Sequence, residues 1–449
     1  MHWGMLTATS PMTLPPEPSM KNFYLVSFVC IALMCGCKPV NEKDEISKIK
    51  AETEADITEL EQRCGKNEGL RCYVLGTAYA SGKVVEQDDE KAYGYFNQSC
   101  ELSSGEGCSM LGQAYFYGRG TMQDYSKAAG LFDKGCSLNS ADACIWQGRL
   151  HTFGMGAAKD FSKARGLFEK AIELNGPDAY HWLGMLYIRG FGADKDFKKA
   201  QELFELGCGR DSADACISLG RLYAGGHSDQ EDFTKAHGLY EKGRTLGGAD
   251  AYGYLGVLYA KGMGVDQDFN KANELFLTGC EMGGGDSCAL LGIAYFRGEG
   301  SRQDYFKSQE LLRKGCDLYS GRACYLVSKM YFQGQTGEKD FAKAIESAQR
   351  GCDLNHGKSC GLLGAAYSEG MGVKKDFEKA NELLTIGCDS EDEAACLFLG
   401  TIYTQGKGTA KDTDMGRDFY ARACDLGSER ACLAFEKLNK EKKKQEKAE

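Results

Sequence analysis

Cysteine is the residue type whose spacing in this chain suggests chemistry. The sequence has 449 residues and 21 cysteines. A thiol can close a disulfide, ligate a metal or act as a nucleophile. Cys64, Cys100, Cys136, Cys208, Cys280, Cys316, Cys352, Cys388 and Cys424 follow one another at intervals of 36 or 72 residues. Each has a partner eight positions on, at Cys72, Cys108, Cys144, Cys216, Cys288, Cys324, Cys360, Cys396 and Cys432. Two units lack both members, with Ile172 and Tyr180 in one and Arg244 and Tyr252 in the other. Paired loss is what a covalent partnership predicts. A bridge across about nine residues stabilises by roughly 2–3 kcal/mol in the chain-entropy model. Zinc is the rival reading, but structural zinc uses two close ligand pairs or adds histidine. Here there is one wide pair per unit, and no histidine recurs. Free thiols are the remaining alternative.

Other reactive residues do not assemble into a catalytic pattern. His151, His181, His227, His237 and His356 are scattered, with no H-E-x-x-H among them. Ser47 and Lys50 match S-x-x-K formally, but no S-D-N or K-T-G accompanies them. A phosphate cradle is the competing reading of Gly118 and Gly120, and of Gly190 and Gly192. No strand precedes these glycines and no Lys-Ser/Thr follows them. No catalytic residue, cofactor or metal is therefore expected.

The elements that carry the cysteines follow the same period. Aspartates at 88, 124, 160, 196, 232, 268, 304, 340, 376 and 412 precede an alanine and an apolar pair in most units. An aspartate carboxylate accepts the free amide hydrogens of a first helical turn, so each opens a helix of about 13 residues, helix B. The other half reads A-C-x-x-L-G-x-x-Y-x-x-G, as in Ala395-Cys396 through Leu399-Gly400, Tyr403 and Gly406. Apolar spacings of three and four mark helix A. Gly112, Gly184 and Gly256 sit inside it, where glycine costs about 1 kcal/mol and implies close helix approach. Each cysteine pair spans the connection from helix B to the next helix A.

This pattern resembles the Sel-one-like repeat family, relatives of the tetratricopeptide solenoids, over roughly residues 60–440. With its cysteine pairs it looks most like the cysteine-rich Helicobacter repeat proteins. The resemblance implies an all-α chain, a right-handed α/α solenoid of 36-residue helix-turn-helix repeats, about ten in number, exported and binding protein or peptide. Departures are local. His151 replaces the repeat tyrosine, Ser328 the mid-helix glycine, Val84, Ser228 and Thr336 the second loop glycine, Ser287 the alanine before the cysteine, and Ser308 and Gly416 the helix B alanine. Some cysteine-rich relatives are described as binding penicillin and hydrolysing β-lactams weakly. No residue here matches that activity, which stands as an alternative beside a structural role in the cell envelope.

The ends read differently. Met20 is a candidate start, and Phe23 to Met34 is an apolar run too short to span a bilayer. It leads into Leu33-Met34-Cys35-Gly36-Cys37, which resembles a bacterial lipoprotein signal with Cys37 as the lipidated residue. Residues 1–37 are expected to be leader and signal, 38–63 a capping helix with Ile46, Ile49, Ile57 and Leu60 on one face, 64–435 the solenoid, and 436–449 a Lys-rich tail. The expected place is the bacterial envelope, lipid-anchored and facing the periplasm, or secreted. The net charge of −10 argues against nucleic acid as a partner.

The repeats also serve as an internal alignment. Positions one, five and eight after the helix A cysteine vary and share one helical face. They include Phe116, Ile145, Arg149, His181, Met185, Arg221, Tyr325, Lys329 and Phe332. Solenoids present such a face along a concave groove. Exposed aromatics and arginine there would anchor a protein or peptide. Trp146 and Trp182 stand one repeat apart and are read as stacked core residues.

Overall fold

A computed structural model describes residues 57–66, 68–192, 194–225 and 231–445. Met20, Cys30, Cys35, Cys37, Ile46, Ile49, Ser47, Lys50, His227, Ser228 and 446–449 lie outside the described residues. Among the described residues every regular element is a helix. The chain divides into two compact units, one ending at Ala251 and one starting at Tyr252.

The N-terminal unit holds α1 (57–65), α2 (Gly69–Ser81), α3 (Asp89–Glu101), α4 (Gly105–Tyr117), α5 (Tyr125–Ser137), α6 (Ala141–Phe153), α7 (Phe161–Glu173), α8 (Asp178–Arg189), α9 (Phe197–Gly209), α10 (Ala213–Ala224) and α11 (Phe233–Thr245). The segment α12 (Ala249–Lys261) carries the division. The C-terminal unit continues with α13 (Phe269–Glu281), α14 (Gly285–Arg297), α15 (Tyr305–Asp317), α16 (Gly321–Gln333), α17 (Phe341–Asp353), α18 (Gly357–Glu369), α19 (Phe377–Asp389), α20 (Glu393–Gln405), α21 (Thr413–Asp425) and α22 (Glu429–Gln445). Even-numbered helices are A helices. Odd-numbered ones from α3 are B helices, and α1 carries Cys64 as a B helix does.

The motif residues have separate tasks. Asp124 accepts the Lys127 amide at 3.0 Å and so caps α5. Its own amide donates to the Tyr115 carbonyl at 2.9 Å, which fixes the bend between α4 and α5. The Lys127 ammonium then lies 5.2 Å from the Tyr115 ring centre. Asp268, Lys271 and Tyr259 repeat the arrangement, with the ammonium 4.1 Å from the ring centre. Serines 104, 140, 212 and 320 cap A helices through their hydroxyls. Between B and A one residue takes a left-handed conformation, such as Asn139 at φ 66° or Tyr319 at φ 62°.

Packing explains the mid-helix glycine. A Cβ at Gly184 would sit 2.5 Å from the Phe204 ring. Ser328 departs from glycine, and the residue at the phenylalanine position of its hairpin, twenty on, is Ala348. The smaller neighbour leaves room, and the Ser328 hydroxyl donates to the Ala344 carbonyl at 2.6 Å. Gly120 shows why the second loop position favours glycine. Its φ is +62°, and a Cβ there would meet the Asp89 carbonyl oxygen at 2.1 Å.

The sulfurs of all nine cysteine pairs stand at bonding distance, with Cα separations from 4.4 to 4.8 Å. Each bridge joins a B helix to the A helix that follows. Where Ile172 and Tyr180 stand instead, Tyr180 is buried, and the Arg210 guanidinium lies 5.4 Å from its ring centre.

A second link joins successive B helices and was not anticipated from the sequence. Lys134, Lys170 and Lys242 each donate to the carbonyl of the first cysteine of the preceding repeat, at 2.9, 2.9 and 2.6 Å. A cation there also suits the partial negative charge of a helix C-terminus. Its sequence signal was a basic residue two places before the B-helix cysteine, or before the residues that replace it, Ile172 and Arg244.

Within each unit the A helices of neighbouring repeats pack directly on one another, while neighbouring B helices meet sparsely. The A helices therefore form the inner side of each array.

Candidate functional site

The inner side is not the open shelf of exposed side chains that the sequence implied. Phe116, Ile145, Arg149 and Met185 are buried. His181, Arg221, Tyr325 and Phe332 are half-buried, and Lys329 is exposed. The correction has a simple cause: each A helix presses its variable face partly into the next A helix, so the seam between helices takes side chains expected to face solvent. Periodicity identifies the face of a helix but not how close its neighbour comes.

In the N-terminal unit these residues form a charged, aromatic seam across α4, α6, α8 and α10. Trp146 on α6 and Trp182 on α8 do not stack on each other. The Arg149 guanidinium sits between them, 3.7 Å from the Trp146 ring centre and 4.7 Å from that of Trp182. Trp146 stacks in turn on Phe132, with centroids 5.4 Å apart, and meets Phe116 and Tyr117 at 5.3 and 5.9 Å. Arg149 is only 8% exposed, and its Nε is buried without an acceptor. Cation–π contact becomes worth more as the cation loses water, about 2 kcal/mol when desolvated.

Around this stack stand three carboxylates at equivalent places on successive A helices, Asp142, Asp178 and Asp214. Asp142 Oδ2 accepts from the Ser109 hydroxyl at 2.6 Å and from Gln113 Nε2 at 3.0 Å. Asp178 Oδ1 accepts from the Ser212 hydroxyl at 2.7 Å. Asp214 is exposed. Loss of water raises the Asp142 carboxyl above the usual carboxylate range, against the pull of the Ser109 hydrogen bond. Loss of water also raises Asp178, and the neighbouring Asp214 adds to the effect. His181, between Asp178 and Arg221, is pushed down to about 4, chiefly by burial, and is neutral at pH 7.

These aspartates were missed at the sequence level because they look like ordinary acids of a first helical turn. Applying the 36-residue period to the second residue before the helix A cysteine, or before its tyrosine replacement, would have found them. That register reads Leu70, Glu106, Asp142, Asp178, Asp214 and Asp250 in the N-terminal unit. It reads Asp286, Arg322, Lys358, Ala394 and Arg430 in the C-terminal unit.

The C-terminal unit fills the same positions with other chemistry. Tyr325 lies 5.8 Å from His356 between ring centres. His356 is pushed down to about 4 by burial, with Arg322 and Lys358 adding repulsion. Asp392, where other repeats place serine, is buried, and its carboxyl is raised to about 6 by loss of water.

A hydrolytic dyad is one reading of His181 Nδ1, which lies 2.9 Å from the Ser218 hydroxyl oxygen. Ser218 is 4% exposed, so its hydroxyl is not presented to a substrate. Among the described residues no cluster of three His, Cys, Asp or Glu is placed to hold a metal. Among the same residues no helix is long and apolar enough to cross a membrane.

Paired helices stacked in series, with a chemically varied inner seam, define a helical-repeat scaffold. Ten consecutive segments, 72–104, 105–140, 141–176, 177–212, 213–248, 249–284, 285–320, 321–356, 358–392 and 393–428, match the Sel1 repeat family, and the chain belongs to it. None of the curated proteins matches the chain. Among solved structures it is similar to c5321 of uropathogenic Escherichia coli, a protective antigen with an SLR fold, at 22% identity over 86% of this chain and 90% of that one, TM-score 0.41. A Sel1 repeat protein from Oxalobacter formigenes is 23% identical over 54% of this chain and 96% of that one, TM-score 0.44. Cysteine-rich protein B of Helicobacter pylori is 33% identical over 29% of this chain and 94% of that one, TM-score 0.25.

Proposed function

We propose that the protein is an exported scaffold that holds a protein or peptide along the face its A helices share. The observation that carries this reading is the seam of the N-terminal unit. Three carboxylates and an aromatic-clamped arginine are gathered at one face, and two of the carboxylates, Asp142 and Asp178, take hydrogen bonds from neutral donors rather than salt bridges. Burying charge without pairing costs stability, and a binding face is where such a cost has a use. Sel1-type repeats commonly mediate protein interactions, which supports the same reading.

Nine cysteine pairs closed as local disulfides belong to an oxidising compartment, so the proposal includes export and, through Cys37, a lipid anchor in a bacterial envelope. Mass spectrometry of the non-reduced protein should find eighteen sulfurs joined to partners eight residues away. Metabolic labelling with a fatty-acid analogue should mark the wild type and not Cys37→Ala.

The functional test is crosslinking of the oxidised protein in envelope extract. A partner of the groove is recovered by the wild type and lost with Arg149→Ala, Arg221→Ala or Tyr325→Ala variants that keep their helical circular dichroism. Recovery unchanged by all three would remove the groove from the function.

A further inference from the structure

We propose that the inner face of the N-terminal unit takes an extended cationic peptide, with its positive side chains seated on Asp142, Asp178 and Asp214 in turn. The inference rests on the groove reading above and names the chemistry of the occupant.

The charge pattern selects the sign. Asp142 and Asp178 are satisfied only by hydroxyl and amide donors, and Asp214 is exposed. Among the described residues none of the three is in a salt bridge. The cation that stands among them, Arg149, is engaged with two indole faces instead. An anionic ligand would meet three carboxylates here, whereas an ammonium or guanidinium would find three acceptors able to form charge-assisted hydrogen bonds.

A second observation points to a peptide rather than a bare cation. Arg149 is more than nine-tenths buried within this seam, and its Nε has no acceptor. A buried donor left unpaired costs about 1–3 kcal/mol. Reaching this atom requires the Trp146–Arg149–Trp182 stack to open on binding, after which a backbone carbonyl supplies the missing acceptor and a simple cation does not.

Geometry sets the spacing. Packed helices lie about 8–10 Å apart, and an extended chain advances about 3.3 Å per residue. One carboxylate per repeat therefore matches one positive side chain at about every third residue.

The test is fluorescence anisotropy with the full mature chain, disulfides intact, and a labelled peptide of repeated Lys-Ala-Ala triplets. Binding should fall as salt rises. It should weaken by about tenfold or more when Asp142→Asn, Asp178→Asn and Asp214→Asn are combined, with circular dichroism unchanged. The matched control removes three exposed acids at the same spacing on B helices, through Asp133→Asn, Glu169→Gln and Glu205→Gln, and should leave binding intact. Equal loss in the control, no loss in the seam variant, or equal binding of a Glu-Ala-Ala peptide would overturn the proposal. Equally tight binding of a peptide with the same lysines in one block would overturn the seating of one cation per repeat. If the Lys-Ala-Ala peptide fails while Arg149→Ala still abolishes capture of the crosslinked partner, the groove reading stands and the cationic occupant falls. If neither depends on the seam, both fall.

Discussion

The seams of the two units use one backbone register for opposite purposes. In the N-terminal unit the register two places before the helix A cysteine, or before Tyr180, holds Asp142, Asp178 and Asp214, beside a tryptophan–arginine stack. In the C-terminal unit it holds Arg322 and Lys358 after Asp286, beside Tyr325 and His356. The aspartate caps of the B helices and the bridge geometry are the same in both, whereas the mid-helix glycine meets an aromatic ring throughout the N-terminal unit but Leu312 and Leu384 in two repeats of the C-terminal one. The hairpin is therefore fixed by one set of residues and the surface chemistry by another, and the second set can change sign without disturbing the first.

The largest expected effect tests whether the tryptophan stack is structural as well as functional. Trp146→Ala should destabilise the N-terminal unit by roughly 3–5 kcal/mol, measured by urea unfolding. The C-terminal counterpart, Leu326→Ala, should cost less because Leu326 is only partly buried. Equal losses would show that the stack adds nothing beyond ordinary core packing.

Removal of one bridge comes next. Cys352→Ser with Cys360→Ser should cost roughly 2–3 kcal/mol. Cysteines placed at Ile172 and Tyr180 should gain less, because they sacrifice the buried Tyr180 ring. A gain equal to the loss at Cys352 and Cys360 would mean that the tyrosine contributes nothing there.

Acid titration separates the buried carboxyl from the buried histidines by sign. The Asp392 carboxyl is raised from 3.8 to about 6 in the fold. The folded state thus holds its proton more tightly, and stability falls as pH rises from about 4 through 6. Asp392→Ser, which restores the serine cap of other repeats, should stabilise by roughly 1–2 kcal/mol at pH 7 and lose that advantage by about pH 4. His181 and His356 act the other way. Their pKa values drop from 6.5 to about 4 on folding, so each costs stability as pH falls through that window. The melting-temperature advantage of Asp392→Ser over the wild type should shrink as pH falls through this range, while that of His181→Asn should grow.

The smallest effect lies in a turn. Tyr319 holds φ 62° where Gly283 and Gly427 serve other repeats. Tyr319→Gly should raise stability by roughly 0.5–1 kcal/mol. Asn139→Gly, at the N-terminal counterpart, should gain less because asparagine tolerates that conformation.

Much of the hairpin could be read from spacing alone. The aspartate caps, the close approach implied by the mid-helix glycine, and the cysteine register all follow from residues tied to a helix end or a tight contact. The seam could not be read so directly. Phe116, Ile145 and Met185 lie on the face expected of them, yet the distance to the next helix, which buries them, is set by many contacts at once. Arg149 was expected to be an exposed anchor and is instead clamped between indoles, because Trp182 comes from a neighbouring repeat. The paired change of glycine to Ser328 and phenylalanine to Ala348 was visible only in part. The serine stood out against the period, and the alanine was not connected to it.

Every bridge spans a single B-to-A connection, between cysteines eight positions apart. Duplication or deletion of a 36-residue block by recombination therefore leaves no sulfur without its mate, wherever the crossover falls between pairs. The chain can lengthen or shorten by whole modules while its oxidative chemistry stays local, so the reach of the protein can evolve independently of how it is cross-linked.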